Sequence, residues 1–189
     1  MTKIAIFASG SGSNAENIVK FFDKNTQIVV KNIFCNVKNA FVLERAKKLN
    51  IPTYVFNREE FNNPNKILKQ LVDDKIDFIV QAGFLWLMPK FIVDEYPNKI
   101  INIHPALLPK FGGKGMFGEN VHKAVIEAKE KVSGITIHYV NSNYDEGNII
   151  FQAKCNIDST DTAEDLAAKI HVLEQKHFPT VIKNIIEKQ

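Results

Sequence analysis

The sequence predicts an α/β protein with an open, mostly parallel, Rossmann-like sheet covered by helices on both faces, and three observations predict it. Short apolar runs recur at Lys3 to Ala8, Asp77 to Ala82 and Ile100 to His104, the kind of run that forms strands buried on both faces of a parallel sheet. Segments of helical periodicity alternate with these runs. The first run passes through a Gly/Ser loop directly into a helix, the connection from which such sheets are built.

In order along the chain, Lys3 to Ala8 is the first strand, and Ala15 to Phe22 reads as the first helix. Strands follow at Ile28 to Phe34, Pro52 to Phe56 and Asp77 to Ala82, with helices at Phe41 to Leu49 and Lys66 to Lys75. Asn57 to Pro64 is polar and expected to be a surface loop. A short helix at Phe91 to Tyr96 precedes the strand ending at His104. Pro105 to Asn120 is a Gly-rich loop, and loops of that length inside a domain tend to be lids or binding loops. Val121 to Lys129 is helical, Ser133 to Val140 alternates like a strand with one solvated face, and Asn148 to Asn156 is the last strand. Thr162 to Glu187 is helical, with Pro179 marking a break or kink.

At 189 residues and 45% hydrophobic content the chain matches one domain with a substantial core, so 1–189 is expected to be a single unit. The formal charge is only +3 and the basic residues are scattered, which argues against a nucleic-acid footprint but leaves a weak field for anionic substrates. Cys35 and Cys155 lie far apart in apolar runs, without metal, redox or disulfide spacing, and are expected to be buried thiols in a reducing compartment. No signal-peptide pattern opens the chain and no apolar run approaches the roughly 18 residues of a membrane span. A cytoplasmic protein with no membrane partner is expected.

Two stretches carry chemistry. Ser9-Gly10-Ser11-Gly12-Ser13-Asn14, between a strand and a helix N-terminus, is an anion site, because glycine allows close backbone approach and free helix N–H groups face the ligand. The loop lacks the third Gly and the ribose-binding acid of a dinucleotide site, and no Lys-Ser/Thr follows it, so a phosphate monoester fits better than NAD or ATP. A simple Gly/Ser turn capped by Asn14 is the plainer alternative. In Ile100 to Pro105, strand alternation projects Asn102 and His104 from one face, at the carboxyl end that Pro105 terminates. A carboxamide donor beside an imidazole suits a carbonyl reaction, in which one group holds a developing oxyanion while the other moves a proton; the plainer alternative is that Asn102 caps a loop and His104 is a satisfied, half-buried histidine. The apolar cluster Gly83 to Pro89, with the only Trp, is either core or the wall for a flat aromatic ligand.

The Gly/Ser loop, Ala82-Gly83-Phe84-Leu85, Asn102 to Pro109 and Asp145-Glu146-Gly147, in this order and spacing, resemble the folate-dependent formyltransferases, and among them the phosphoribosylglycinamide formyltransferase family. The resemblance covers essentially the whole chain. It implies the formyltransferase fold and formyl transfer from 10-formyltetrahydrofolate, the donor cosubstrate, to the amine of phosphoribosylglycinamide in purine synthesis, with no metal. It implies a catalytic trio of Asn102, His104 and Asp145, with His104 as imidazolium or general acid beside the Asp145 carboxylate. The ribotide is then expected on Gly12, Ser13, Asn14, Gly83, Pro105 and Glu174. The folate is expected along Leu85, Trp86, Met88, Asn102, Val140, Asn141, Tyr144 and Asp145, and a cis peptide at Leu108-Pro109.

Three features depart from the family. Asn62-Asn63-Pro64-Asn65 lacks the Arg that usually assists the phosphate, so Arg58 or Lys66 substitutes or the loop suffices. Gly112 to Asn120 is longer than in the best-known members, and Trp86 replaces a commonly basic residue. His122 matches a position on the lid side but reads equally as a surface histidine, whereas His171 and His177 read as structural or solvated. The rival enzymes are a formyltetrahydrofolate hydrolase, a methionyl-tRNA formyltransferase or a sugar-nucleotide formyltransferase; a phosphate-binding module and a nicotinamide oxidoreductase are the rivals from other classes. The partners expected are small molecules, and the state a monomer or homodimer.

Overall fold

The computed structural model describes residues 1–188. Seven strands, β1 (Thr2–Ala8), β2 (Ile28–Cys35), β3 (Thr53–Val55), β4 (Phe78–Gln81), β5 (Ile100–His104), β6 (Val132–Tyr139) and β7 (Ile149–Asn156), form one sheet in the order β3-β2-β1-β4-β5-β6-β7. From β3 to β5 all neighbours are parallel, and β6 and β7 add two antiparallel pairings at one side. The chain order reverses between β1 and β4, and the loops leaving these strands are tied together: Ser9 N–H donates to Gly83 O at 3.0 Å and Leu85 N–H to Ser9 Oγ at 3.1 Å. Such a switch point at the carboxyl ends opens a crevice for a ligand.

Strand alternation sorts the core into two layers. Ile4, Ile6 and Ala8 of β1, with Ile101 and Ile103 of β5, pack against α1 (Ser13–Phe22), α2 (Phe41–Lys48), α6 (Glu119–Glu127) and α7 (Ala163–Ile186). Ala5 and Phe7, with Ile100, pack on the opposite face against α3 (Arg58–Phe61), α4 (Ile67–Asp73) and α5 (Lys90–Glu95), in a cluster rich in stacked and edge-on aromatic rings. Asn102 and His104 share the parity of Ile100.

Several elements differ from the sequence reading. The polar stretch after β3 contains the four-residue α3, because Asn57 accepts from Glu60 N–H while the Glu60 carboxylate accepts from Asn57 N–H, a reciprocal cap. Helix α1 starts at Ser13 with Gly12 as its cap, so Asn14 is not the cap. Strand β6 is buried over most of its length rather than solvated on one face, because β5 and β7 flank it and the loop after β5 folds over Thr136. Helix α7 runs through Pro179 without a break. Proline cannot donate to the carbonyl four residues earlier, and that carbonyl, of Gln175, instead accepts from Asn17 Nδ2 at 2.8 Å. Cys35 is buried as expected, but Cys155 is partly exposed on the edge strand β7. The Leu108-Pro109 peptide is cis. No helix among the described residues is long and apolar enough to cross a membrane.

Candidate active site

A cavity of about 590 Å³ opens at the carboxyl ends of β1, β4 and β5. Its first wall is the loop before α1. Gly12 has φ +75°, and a Cβ there would lie 2.4 Å from Val42 Cγ2, so both conformation and space demand glycine. The first turn of α1 begins with Glu16 N–H donating to Gly12 O, which leaves the N–H groups of Ser13, Asn14 and Ala15 without helical acceptors. Arg45 backs this loop, donating to Ser11 O at 2.9 Å and pairing with Glu16. The Asn14 side chain is held by α7, donating to Glu174 Oε2 and accepting from Gln175 Nε2, each at 2.9 Å. Burial pushes the Glu174 carboxyl above its ordinary range, against the opposing pull of Asn14 and His171.

At the centre, β5 pairs Asn102 with His138 and His104 with Thr136 of β6. The following turn swings Asp145 over both histidines. Asp145 has φ +56°, and a Cβ on Gly147 would lie 1.7 Å from Tyr139 O, so the chain returns to β7 at this point only with glycine. Asp145 Oδ2 lies 3.5 Å from His104 Nδ1 and accepts from Gly113 N–H at 2.9 Å; its Oδ1 lies 3.5 Å from both His138 Nε2 and Asn102 Nδ2. Burial raises the Asp145 carboxyl, but the contacts with His138 and His104 and the Gly113 N–H outweigh it and hold the group below the usual carboxylate range.

The tautomers follow from the partners. His138 Nδ1 meets Tyr139 O at 2.9 Å and must donate to it, so Nε2 is an acceptor for Asn102 Nδ2 at 3.1 Å. His104 Nε2 likewise donates to Phe111 O at 2.7 Å, leaving the Nδ1 lone pair facing Asp145. His104 is only 3% exposed, and burial lowers its pKa more than Asp145 raises it. Burial thus works against the imidazolium and Asp145 works for it, so the ring is poised to gain or lose a proton. This arrangement offers an N–H donor on Asn102 and, beside it, a base at His104 Nδ1 whose protonated form Asp145 stabilises. The 3.5 Å contact between Asn102 and Asp145 is weak, so a ligand oxygen can take that donor.

The far wall is apolar. Phe84 and Met88 belong to the second core layer, Trp86 packs against it, and Leu85, Val140 and Tyr144 complete the surface. The cluster after β4 is thus core and cavity wall at once. The Arg58 guanidinium sits 4.0 Å above the Trp86 ring.

Of the residues expected from the sequence, Gly12, Ser13, Asn14, Gly83, Pro105, Glu174, Leu85, Trp86, Met88, Asn102, His104, Val140, Tyr144 and Asp145 all line this cavity. Asn141 does not; its Oδ1 accepts from Asn143 N–H, and Asn143 takes the place on the lining. Neither Arg58 nor Lys66 lines the cavity. Sequence reasoning missed Gln81, Lys114 and His138 as lining residues. His138 was legible as the strand mate of Thr136, and Gln81 as a polar residue closing an apolar strand. His122 is buried, lines the cavity and leaves Nδ1 unpartnered, which settles it as interior rather than surface.

Comparison with known proteins agrees with this geometry. The "Formyl transferase" family profile matches residues 2–182. The chain is 38% identical to the phosphoribosylglycinamide formyltransferase of Bacillus subtilis over 98% of this chain and 95% of that protein. It is 39% identical to the chloroplastic phosphoribosylglycinamide formyltransferase of Arabidopsis thaliana over 99% of this chain, which spans 66% of that longer protein. Among solved structures it superposes on the phosphoribosylglycinamide formyltransferase of Bacillus halodurans with a TM-score of 0.89 at 34% identity, covering 99% of this chain and 96% of that one.

Proposed function

This chain belongs to the formyl transferase family, and on that premise we propose that it transfers a formyl group from 10-formyltetrahydrofolate to the amine of 5′-phosphoribosylglycinamide. One observation carries the reading: a phosphate-type loop and the Asn102, His104 and Asp145 cluster face a single cavity. A phosphate seated on the N–H groups of Ser13 and Asn14 puts a ribose-linked amine within the same crevice as the cluster. Glu174, on the far side of Asn14, supplies an acceptor for the glycinamide. A flat pterin fits the wall of Leu85, Trp86, Met88 and Val140, whose apolar surface matches its ring.

In this reading Asn102 donates its N–H to the formyl oxygen as negative charge collects there. As the amine nitrogen bonds to the formyl carbon, His104 Nδ1 takes the proton it releases, and Asp145 stabilises the resulting imidazolium and holds the ring's orientation; when the bond from that carbon to N10 of the folate breaks, the imidazolium returns the proton to N10 and tetrahydrofolate leaves. Residues 1–189 act as one catalytic domain, cytoplasmic, on small molecules alone, as a monomer or homodimer.

The test follows loss of 10-formyltetrahydrofolate spectroscopically, with and without the ribotide. Consumption that requires the ribotide is the expected result. Consumption in its absence identifies a hydrolase, and consumption only with a sugar nucleotide identifies a different acceptor.

A further inference from the structure

Resting on that reading of the acceptor, we propose that Lys114 is the side chain that neutralises the ribotide phosphate. A helix N-terminus supplies only about half a positive charge to a group carrying up to two negative ones, so a full cation beside it adds most of the compensating charge. The cations nearest by sequence are committed elsewhere. Arg45 is paired with Glu16 behind the loop and donates to Ser11 O. Arg58 is stacked on Trp86 in the opposite core layer and does not line the cavity.

Lys114 is the only Lys or Arg among the described residues that lines the cavity. Its neighbours on the same stretch are paired, Lys110 with Glu130 and Lys123 with Glu119, whereas Lys114 takes part in no ion pair among the described residues. The loop that carries it is anchored on both sides. Gly113 N–H is anchored on Asp145 at 2.9 Å, and two residues beyond Lys114 the Met116 side chain packs into the first layer, with α1, α2, α6 and α7. Lys114 therefore lies on the stretch between the Asp145 anchor and the first layer, on the same cavity as the loop before α1. Gly113 and Gly115, at φ +97° and +88°, turn the backbone on either side of it, conformations that put a lone long side chain at a bend.

The other anion this enzyme handles in the proposed reaction is the carboxylate tail of the folate, and the experiment separates the two. For wild type, Lys114→Gln and Lys114→Arg, steady-state KM is measured for the ribotide and for the formyl donor, and calorimetry measures binding of ribose 5-phosphate to the free proteins. The inference expects Lys114→Gln to raise the ribotide KM and the ribose 5-phosphate Kd about tenfold or more, the scale of one charge-assisted contact. Lys114→Arg retains most of the affinity, and the donor KM stays within twofold in both variants. Unchanged ribotide KM and ribose 5-phosphate Kd, or a rise confined to the donor KM, overturns it. Should wild type turn over no ribotide at all, the proposed reaction falls, and the ribose 5-phosphate comparison still decides the role of Lys114.

Discussion

Replacing Asn102 by alanine tests the centre of the site most directly. Its Nδ2 has two hydrogens, one committed to His138 Nε2 at 3.1 Å and one held only loosely toward Asp145 at 3.5 Å. The second is free for an oxyanion. Loss of one such donor costs about 2.7–4 kcal/mol in the transition state, which at about 1.36 kcal/mol per decade is a fall in kcat of roughly 100- to 1000-fold. The ribotide KM should change little, because the charge that Asn102 meets exists only during reaction. The same substitution strips His138 Nε2 of its donor, an unpaired buried acceptor worth about 1–3 kcal/mol. At about 2–4 °C per kcal/mol for a chain of this size, Tm falls by roughly 2–12 °C, so kinetics are run at 25 °C with circular dichroism confirming the fold. Asn102→Asp keeps the shape but places a second carboxylate beside Asp145, and should not rescue the rate. A folded Asn102→Ala protein with kcat within tenfold of wild type would refute the reasoning.

Three further outcomes are expected. Gly12→Ala combines a positive-φ residue with a clash against Val42 and should destabilise by about 2–4 kcal/mol in urea titration while weakening ribotide binding. The His104 pKa lies below 6.5, so kcat/KM should rise with pH through an acid limb below that value to a plateau; Asp145→Asn removes the only carboxylate raising it, so the limb should move to lower pH as the rate falls. Because the folded Glu174 pKa is raised, its stabilisation is complete below the unfolded value near 4.5 and is lost as pH rises through the folded one. The Tm of Glu174→Gln should accordingly gain on wild type between pH 4.5 and pH 8, and a gap that narrows with pH would contradict the sign.

Much of the fold was legible because its rules are local. The wholly apolar strands betray burial on both faces of a parallel sheet, and a period of two puts Asn102 and His104 together. Helix α3 was not legible, since four residues are too few to show a period and only the reciprocal cap reveals it. The buried state of β6 escaped because its alternation looks half-polar, whereas Thr136 is covered by the loop after β5 and His138 faces the site rather than water.

By itself the sequence determined that a Gly/Ser loop opens the first helix, that two polar groups end the fifth strand on one face, and that the chain resembles a formyltransferase. Only the tertiary structure decided that His138 fixes the Asn102 amide, that Asp145 reaches His104 across 41 positions, and that Lys114 is the cation on the cavity. The reason is that side-chain direction follows from local backbone geometry, which a short window of residues dictates. Pairing β5 with β6, and folding the loops over them, depends on which distant surfaces bury together, and no local period encodes that choice.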